Sequence, residues 1–244
     1  MAGKSYCDLG CGTYHPYGIS TIFYLNGAVS TVGLDVEDAD EIRAAEALYD
    51  LLIDCIAYPE KWCWEANMNR AEFVERARSF NLNALQNGQL RAGIGDLPLK
   101  HVVTDIHDPV IAKESIDIMS SRAVLEHFLD FGVAVDRLFA LMRPGGVAYH
   151  HIDLADHRAY WRNSSYHRWS FLAENDDWSD NLTNRLRASE IRPYFEKTGF
   201  NVLKYEIIRK TMPKGFEQYL KGRFRSMSKD DLEALTVFCI LVKP

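Results

Sequence analysis

Two glycines, Gly10 and Gly12, stand directly after the short apolar run 5–9, and an aspartate, Asp35, closes the next such run, 30–34. Between them lie a turn through Pro16 and Gly18 and a helical stretch, 19–26, that stops at Gly27. Strand, glycine turn, helix and strand within about 30 residues make a βαβ unit, which commits the chain to a parallel strand pair. Missing side chains at Gly10 and Gly12 let a ligand approach the backbone. An acid at the tip of the second strand can accept two hydroxyl hydrogen bonds from a ribose. A dinucleotide pyrophosphate needs a third glycine where the helix closes in, but position 15 is His15, followed by Pro16. That crowding disfavours a dinucleotide and leaves a different nucleoside as the expected ligand.

Beyond Asp35 the pattern changes. Residues 40–56 and 70–85 read as amphipathic helices, with Pro59, Trp62 and Trp64 between them and Gly88, Gly93, Gly95 and Pro98 after. An ordinary crossover takes about a dozen residues plus a helix, so 38–100 is expected to be an added helical cap. Strand patterns return at 101–105 and 115–120, a helix runs through Phe139 to Arg143-Pro144-Gly145-Gly146, and 147–154 is another strand. Alternating strands and helices predict an α/β fold whose mostly parallel sheet carries helices on both faces. Residues 155–187 hold Tyr160, Trp161, Tyr166, His167, Trp169, Phe171 and Trp178 with weak periodicity, and are expected to form an ordered aromatic lid. Ser189 is the predicted cap of a helix over 192–197 that ends at Gly199, and 201–209 and 235–242 read as closing strands.

Composition narrows the functional class. A chain of 244 residues, 47% apolar, is long enough for a single domain over 1–244 with a substantial core. No window reaches the ~18 consecutive apolar residues of a membrane span. No apolar signal segment follows Lys4, so a cytoplasmic protein is expected. Cys7, Cys11, Cys55, Cys63 and Cys239 are odd in number and lack paired C-x-x-C spacing, against a disulfide framework or structural zinc. With 28 Lys plus Arg against 34 Asp plus Glu there is no global field to draw nucleic acid.

On these motifs the chain resembles the class I S-adenosylmethionine-dependent methyltransferases, and is similar to type 11-like members that O-methylate sugars and small molecules. Tyr6-Cys7-Asp8-Leu9-Gly10-Cys11-Gly12-Thr13 matches the family's first motif, Asp35 its acidic second-strand residue, and Thr104-Asp105-Ile106 its third-strand adenine contact. Ser115-Ile116-Asp117-Ile118-Met119 leading to Ser121-Arg122-Ala123-Val124-Leu125-Glu126-His127 is similar to the fourth-strand signature, and Leu141-Met142-Arg143-Pro144-Gly145-Gly146 to the turn into the fifth strand. The resemblance implies a Rossmann-like sheet of seven strands, mostly parallel with an antiparallel last strand, and S-adenosylmethionine as cofactor. It places Asp8, Gly10, Cys11 and Gly12, with His15 in the same turn, near the methionine moiety. Asp35 falls on the ribose, Asp105 and Ile106 at the adenine, and Ser121 or Arg122 beneath the sulfonium. The chain begins almost on the first strand, without the N-terminal helices that often cover the site in this family. The insert and the 155–187 loop are therefore expected to supply the cover and bind the acceptor.

Methyl transfer from a sulfonium is an in-line displacement on an activated carbon, so the protein must align the nucleophile and, for a hydroxyl, remove its proton. The fifth strand ends in His150-His151-Ile152-Asp153, followed by Asp156 and His157, at the sheet edge where ligands bind. One reading makes His150 or His151 the general base, oriented by an aspartate. Another places a divalent metal such as Mg2+ on Asp153 and Asp156 with Glu126 or His157. The plain alternatives are a packed histidine and loop-capping carboxylates. Glu126 and His127 either reach the acceptor or pack a helix start, and His127 joins the candidate catalytic residues. Tyr166, His167 and Trp169, with Asn163 and Arg168, form either a carbohydrate wall or an aromatic core. Six cations from Arg209 to Arg225 around Phe216, Tyr219 and Phe224 are either an anion-binding surface or a solvated helix face. The expected function is O-methylation of a hydroxyl on a saccharide or glycosylated small molecule. The competing readings are N- or carboxyl-methylation of another metabolite or RNA, and a non-catalytic partner subunit; a homodimer is compatible with each.

Overall fold

A computed structural model of the chain describes residues 2–64, 66, 68–106, 111–175 and 182–244. Trp178 of the expected lid lies outside the described residues. The strands are β1 (Ser5–Leu9), β2 (Ser30–Asp35), β3 (Leu99–Val103), β4 (Ile116–Arg122), β5 (Met142–Asp153), β6 (Asn201–Arg209) and β7 (Ala234–Val242). They form a seven-stranded sheet in the order β3-β2-β1-β4-β5-β7-β6. Pairing is parallel between β1 and β2, with Leu9 opposite Leu34, and between β2 and β3, with Asp35 opposite Val103. β7 runs antiparallel to both β5 and β6. The predicted sheet, mostly parallel with an antiparallel last strand, is the one that forms. Among the described residues no helix is long and apolar enough to cross a membrane.

The chain divides into two compact units, Met1–Ser120 with Leu141–Gly146, and Ser121–Ala140 with Val147–Pro244. In the first, β1 is buried at every position, and α1 (Gly18–Leu25) follows the glycine turn. The insert contributes α2 (Glu41–Ala57), α3 (Pro59–Trp62), α4 (Arg70–Arg78), α5 (Leu82–Gln86) and α6 (Leu90–Ile94). The single helix predicted over 70–85 is two helices. Ser79 Oγ donates to the Arg76 carbonyl at 2.6 Å, and the Asn81 side chain accepts from Ala84 N at 3.1 Å. These side chains give the backbone a stop and a fresh N-cap, where apolar periodicity alone reads through.

Insert and α1 share one core. Tyr24 and Leu25 of α1 pack with Leu48, Leu52, Phe73 and Leu85 of the insert and Leu99 of β3. Arg76 Nη1 donates to the Tyr24 carbonyl at 2.8 Å, adding to the bond that carbonyl already takes from Gly27 N at 3.0 Å at the end of α1. Asn26, fully buried, donates to the Ile22 and Trp62 carbonyls and accepts from Trp64 N at 2.6 Å. Residues 38–100 are thus a helical layer completing the packing of α1, and deleting them would remove every buried residue of this core except Tyr24 and Leu25.

The second unit holds α7 (Phe131–Leu141) apart from its last residue, α8 (Ala188–Thr198) and α9 (Lys229–Leu232). α8 ends at Gly199, whose φ of 109° is left-handed. Its N-terminus is closed by Glu190 accepting from Arg187 N at 2.8 Å, while Ser189, the predicted cap, donates its hydroxyl to Asp231 at 2.6 Å. A second core gathers Trp169, Phe171 and Leu172 with Met212, Phe216, Leu220, Phe224, Leu232 and Leu235. Part of the expected lid, around Trp169, Phe171 and Leu172, is therefore interior. Three of the six cations of the run are engaged locally as well: Arg223 pairs with Glu190 at 2.8 Å, Arg225 donates to the Leu220 carbonyl, and Arg209 to the Asp230 carbonyl.

Candidate active site

The turn after β1 is built by backbone conformation. Gly10 and Gly12 have φ of 70° and 77°, a region that glycine enters without a side-chain penalty. Gly10 N and Cys11 N both donate to the Leu34 carbonyl, at 2.7 and 3.2 Å, which draws the turn over the end of β2. A Cβ on Gly33 would stand 2.9 Å from Cys11 Sγ, so the turn lies directly on the strand. A Cβ on Gly12 would meet nothing within 4 Å, so open space lies beyond the turn. Gly12 N donates to Asp35 Oδ2 at 2.7 Å and Glu37 N to Oδ1 at 3.2 Å. Each oxygen retains acceptor capacity for a hydroxyl. Thr104 N donates to the Asp35 carbonyl at 2.7 Å, bringing the exposed Asp105 and the buried Ile106 to the same strand end. Those features fit a nucleoside. His15 is exposed, and its ring lies against Gly18, where a Cβ would come within 2.6 Å of it.

Asp8 is 7% exposed. Ser120 Oγ donates to Asp8 Oδ1 at 3.4 Å, and the Tyr6 hydroxyl bonds the same serine. Burial outweighs these hydrogen bonds and pushes the carboxyl up to about 7.

In the second unit the four candidate residues of β4 and β5 take different roles. His150 is wholly buried, with Nδ1 2.7 Å from Ser121 Oγ and its ring stacked on Phe195. Burial pushes it down to about 4, and a neutral ring without solvent access cannot pass a proton on, so the base reading fails for His150. Ser121, expected beneath the sulfonium, is 3% exposed and engaged with that ring, whereas Arg122 is exposed. His151, one residue on and so on the opposite face of β5, is half-buried, and its Nδ1 has no partner.

A separate cluster forms beyond the strand ends. After Ala123, whose φ of 54° is left-handed, the turn Leu125–His127 presents Glu126 and His127. Asn184 pins this turn, its N donating to the Glu126 carbonyl at 2.7 Å and its Nδ2 to the Leu125 and Phe128 carbonyls. His157 Nε2 stands 3.7 Å from Glu126 Oε1 and 3.8 Å from Asp153 Oδ2, and its ring is 4.9 Å from that of His127. The Tyr160 hydroxyl donates to Asp153 Oδ2 at 2.7 Å. Glu126 is 1% exposed, no well-formed hydrogen bond reaches either carboxyl oxygen, and burial pushes it up to about 8.

Asp156, expected among metal ligands, stands elsewhere. Both of its oxygens take Arg158, Oδ1 from Nε at 2.9 Å and Oδ2 from Nη2 at 2.6 Å, and Oδ1 also caps Arg158 N. That buried bidentate pair leaves it no role as a ligand. Trp169 likewise is core and not an acceptor wall, and His167 meets Phe216 edge-on at 5.0 Å. Tyr160, Trp161 and Tyr166 are the exposed rings, with the Arg158 guanidinium 4.2 Å over Tyr166.

A glycine turn bonded to an acid on the next parallel strand, in a sheet with this strand order, defines a Rossmann-like nucleoside-binding enzyme. A family model for the methyltransferase domain matches residues 1–205, and the chain belongs to that family. Its activity is S-adenosylmethionine-dependent methyl transfer. Among solved structures, an S-adenosylmethionine-dependent methyltransferase from Mesorhizobium loti is similar at 14% identity and TM-score 0.52, over 99% of this chain and 91% of that one. The geranyl diphosphate C-methyltransferase of Streptomyces coelicolor A3(2), in complex with Mg2+, geranyl diphosphate and S-adenosyl-L-homocysteine, is 12% identical, with TM-score 0.55 over 100% and 73%. A Haloferax volcanii complex of the Trm112 methyltransferase activator with a methyltransferase gives 16% identity and TM-score 0.51 over 100% and 83%. No curated protein sequence matches the chain.

A pH dependence follows from Asp8. Its carboxyl is protonated below about 7 and ionised above, and a cofactor ammonium group seated beside it, as the family resemblance implies, would favour the ionised form. S-adenosylhomocysteine affinity is therefore expected to rise with pH through that point, and to fall by up to about tenfold per unit below it. Calorimetry at about pH 6 and about pH 8 should show the slope, and Asp8→Asn should flatten it. An unchanged slope in that variant would assign the titration to another group.

Proposed function

We propose that the enzyme methylates a hydroxyl of a small, polar acceptor, of the saccharide class. The observation that carries this reading is the cluster of Glu126, His127, His157 and Asp153 beside exposed rings: Tyr160 lies 5.6 Å from His157, and Trp161 lies 6.3 Å from Tyr166. Lone pairs and carboxylates bind hydroxyls, and aromatic faces take the apolar side of a sugar ring. The cofactor groups are Asp8, Gly10, Gly12 and Asp35. His151 is the base, since His150 is closed off. In the transfer the acceptor oxygen forms its bond to the methyl carbon as the carbon–sulfur bond breaks. Sulfur keeps the electron pair, and His151 takes the hydroxyl proton. No disulfide joins the five cysteines, which suits the reducing cytoplasm, where we place the reaction.

Transfer of labelled methyl from S-adenosylmethionine to separated pools of saccharides, other metabolites, RNA and protein tests the proposal. Label is expected in the saccharide pool as an alkali-stable ether, and His151→Ala should remove most of it while S-adenosylhomocysteine binding stays. Label in RNA, protein or an alkali-labile ester would overturn the acceptor assignment.

A further inference from the structure

We propose that Glu126, His127 and His157 form a binding site for one divalent first-row transition ion, in preference to Mg2+. The inference deepens the proposed function and rests on it only for what the ion would do. One ligand atom from each residue lies within 4.8 Å of the other two. An ion with bonds of about 2.1 Å closes that span with a small side-chain adjustment.

Two independent observations point to a ligand. First, the Glu126 side chain is 2% exposed, yet no donor completes a well-formed hydrogen bond to either oxygen, the Glu126 and Asp153 amides only lying near, and the facing His157 Nε2 lacks a partner too. A carboxyl so deep is ordinarily satisfied by hydrogen bonds or by a cation. Second, His127 Nδ1 is 2.6 Å from the Leu182 carbonyl. A carbonyl only accepts, so Nδ1 carries the proton and Nε2 the lone pair. An imidazole held through its other nitrogen by a backbone carbonyl is the arrangement that orients metal-binding histidines. Asn184 fixes the backbone that presents Glu126 and His127, so the set is held ready before an ion arrives.

Ligand chemistry selects the ion. Two imidazoles and one carboxylate suit Zn2+, Fe2+, Co2+ or Mn2+, whereas Mg2+ and Ca2+ favour oxygen shells. Three protein ligands leave positions open for acceptor oxygens. Asp153, its Oδ2 held by Tyr160, stays beside the site and adds negative charge.

The test titrates Co2+ into the full chain after EDTA treatment and follows the visible d–d absorption, with S-adenosylhomocysteine binding measured in parallel by calorimetry. One equivalent is expected, without the thiolate charge-transfer band that a cysteine ligand gives, and excess Mg2+ should not displace it. Glu126→Gln and His157→Gln are each expected to weaken Co2+ binding by about 100-fold, with circular dichroism confirming the fold. Should one variant not fold, the other and the parent spectrum decide. Absence of stoichiometric binding, a thiolate band, displacement by Mg2+, or indifference to both substitutions would overturn the site. S-adenosylhomocysteine binding without Co2+ binding would remove the metal site and leave the methyltransferase reading standing. Co2+ binding without S-adenosylhomocysteine would do the reverse.

Discussion

Asp35→Ala is expected to weaken S-adenosylhomocysteine binding by about 100-fold, close to 3 kcal/mol, with little change in the melting temperature. Its two oxygens already take Gly12 N at 2.7 Å and Glu37 N at 3.2 Å. Those bonds aim the carboxylate and spend part of its acceptor capacity, leaving a lone pair on each oxygen for a ribose hydroxyl. Hydrogen bonds to a charged acceptor are worth about 1.5–3 kcal/mol each, so losing two, less what water restores, gives the stated figure. Folding loses little because the amides of half-buried Gly12 and exposed Glu37 can turn to water, and the bond from Thr104 N to the Asp35 carbonyl does not use the side chain. Asp35→Asn keeps one acceptor oxygen and loses the charge, and should fall between the two at about tenfold. Calorimetry with a thermal melt separates the effects. Parent-like affinity in Asp35→Ala would take the ribose away from this residue.

The glycine turn and the acid bonded to it were legible in the sequence because their causes are local. Gly10 and Gly12 announce left-handed backbone directly after an apolar run, and Asp35 sits at the end of the next run, so spacing alone brings turn and acid together. The candidate residues at the ends of β4 and β5 depend on parity and on tertiary neighbours. His150 and His151 look equivalent as residue types, yet strand alternation puts His150 in line with Ala148 and Ile152, both fully buried. Those apolar neighbours two positions away were the available signal that His150 is interior. Asp156 had a similar warning in Arg158, whose side chain reaches back across one turn to take both oxygens. No local signal joins Glu126 and His127 to His157. They meet because β4 and β5 are neighbours in the sheet and a short turn follows each.

Arg187→Met is expected to be the most damaging single change to stability, costing about 4 kcal/mol or more, a large part of the 5–15 kcal/mol typical of a folded domain. The residue is 1% exposed. Nη1 donates to the Leu154 carbonyl at 2.9 Å, and Nη2 to the carbonyls of Asp231 at 3.0 Å and Leu232 at 3.1 Å, with Ala234 as a further acceptor. One planar guanidinium thus ties the chain just beyond β5 to the end of α9 and the start of β7. Burial pushes it down to about 10, which still leaves it charged at neutral pH, and backbone carbonyls take the place of water around the cation. Methionine fills much of the stem's volume but returns no donor. Several buried carbonyls then stay unsatisfied at about 1–3 kcal/mol each, and the sum is reduced where they relax toward one another. Arg187→Lys retains the charge as a compact group that cannot span the same carbonyls, and should lose roughly half as much. Urea denaturation reads both as a lower midpoint at constant slope. Arg187→Met within about 0.5 kcal/mol of the parent would mean that these carbonyls find other donors. Its pairing with Asp35→Ala is informative, since one variant should lose the fold's tolerance to urea and the other only its ligand.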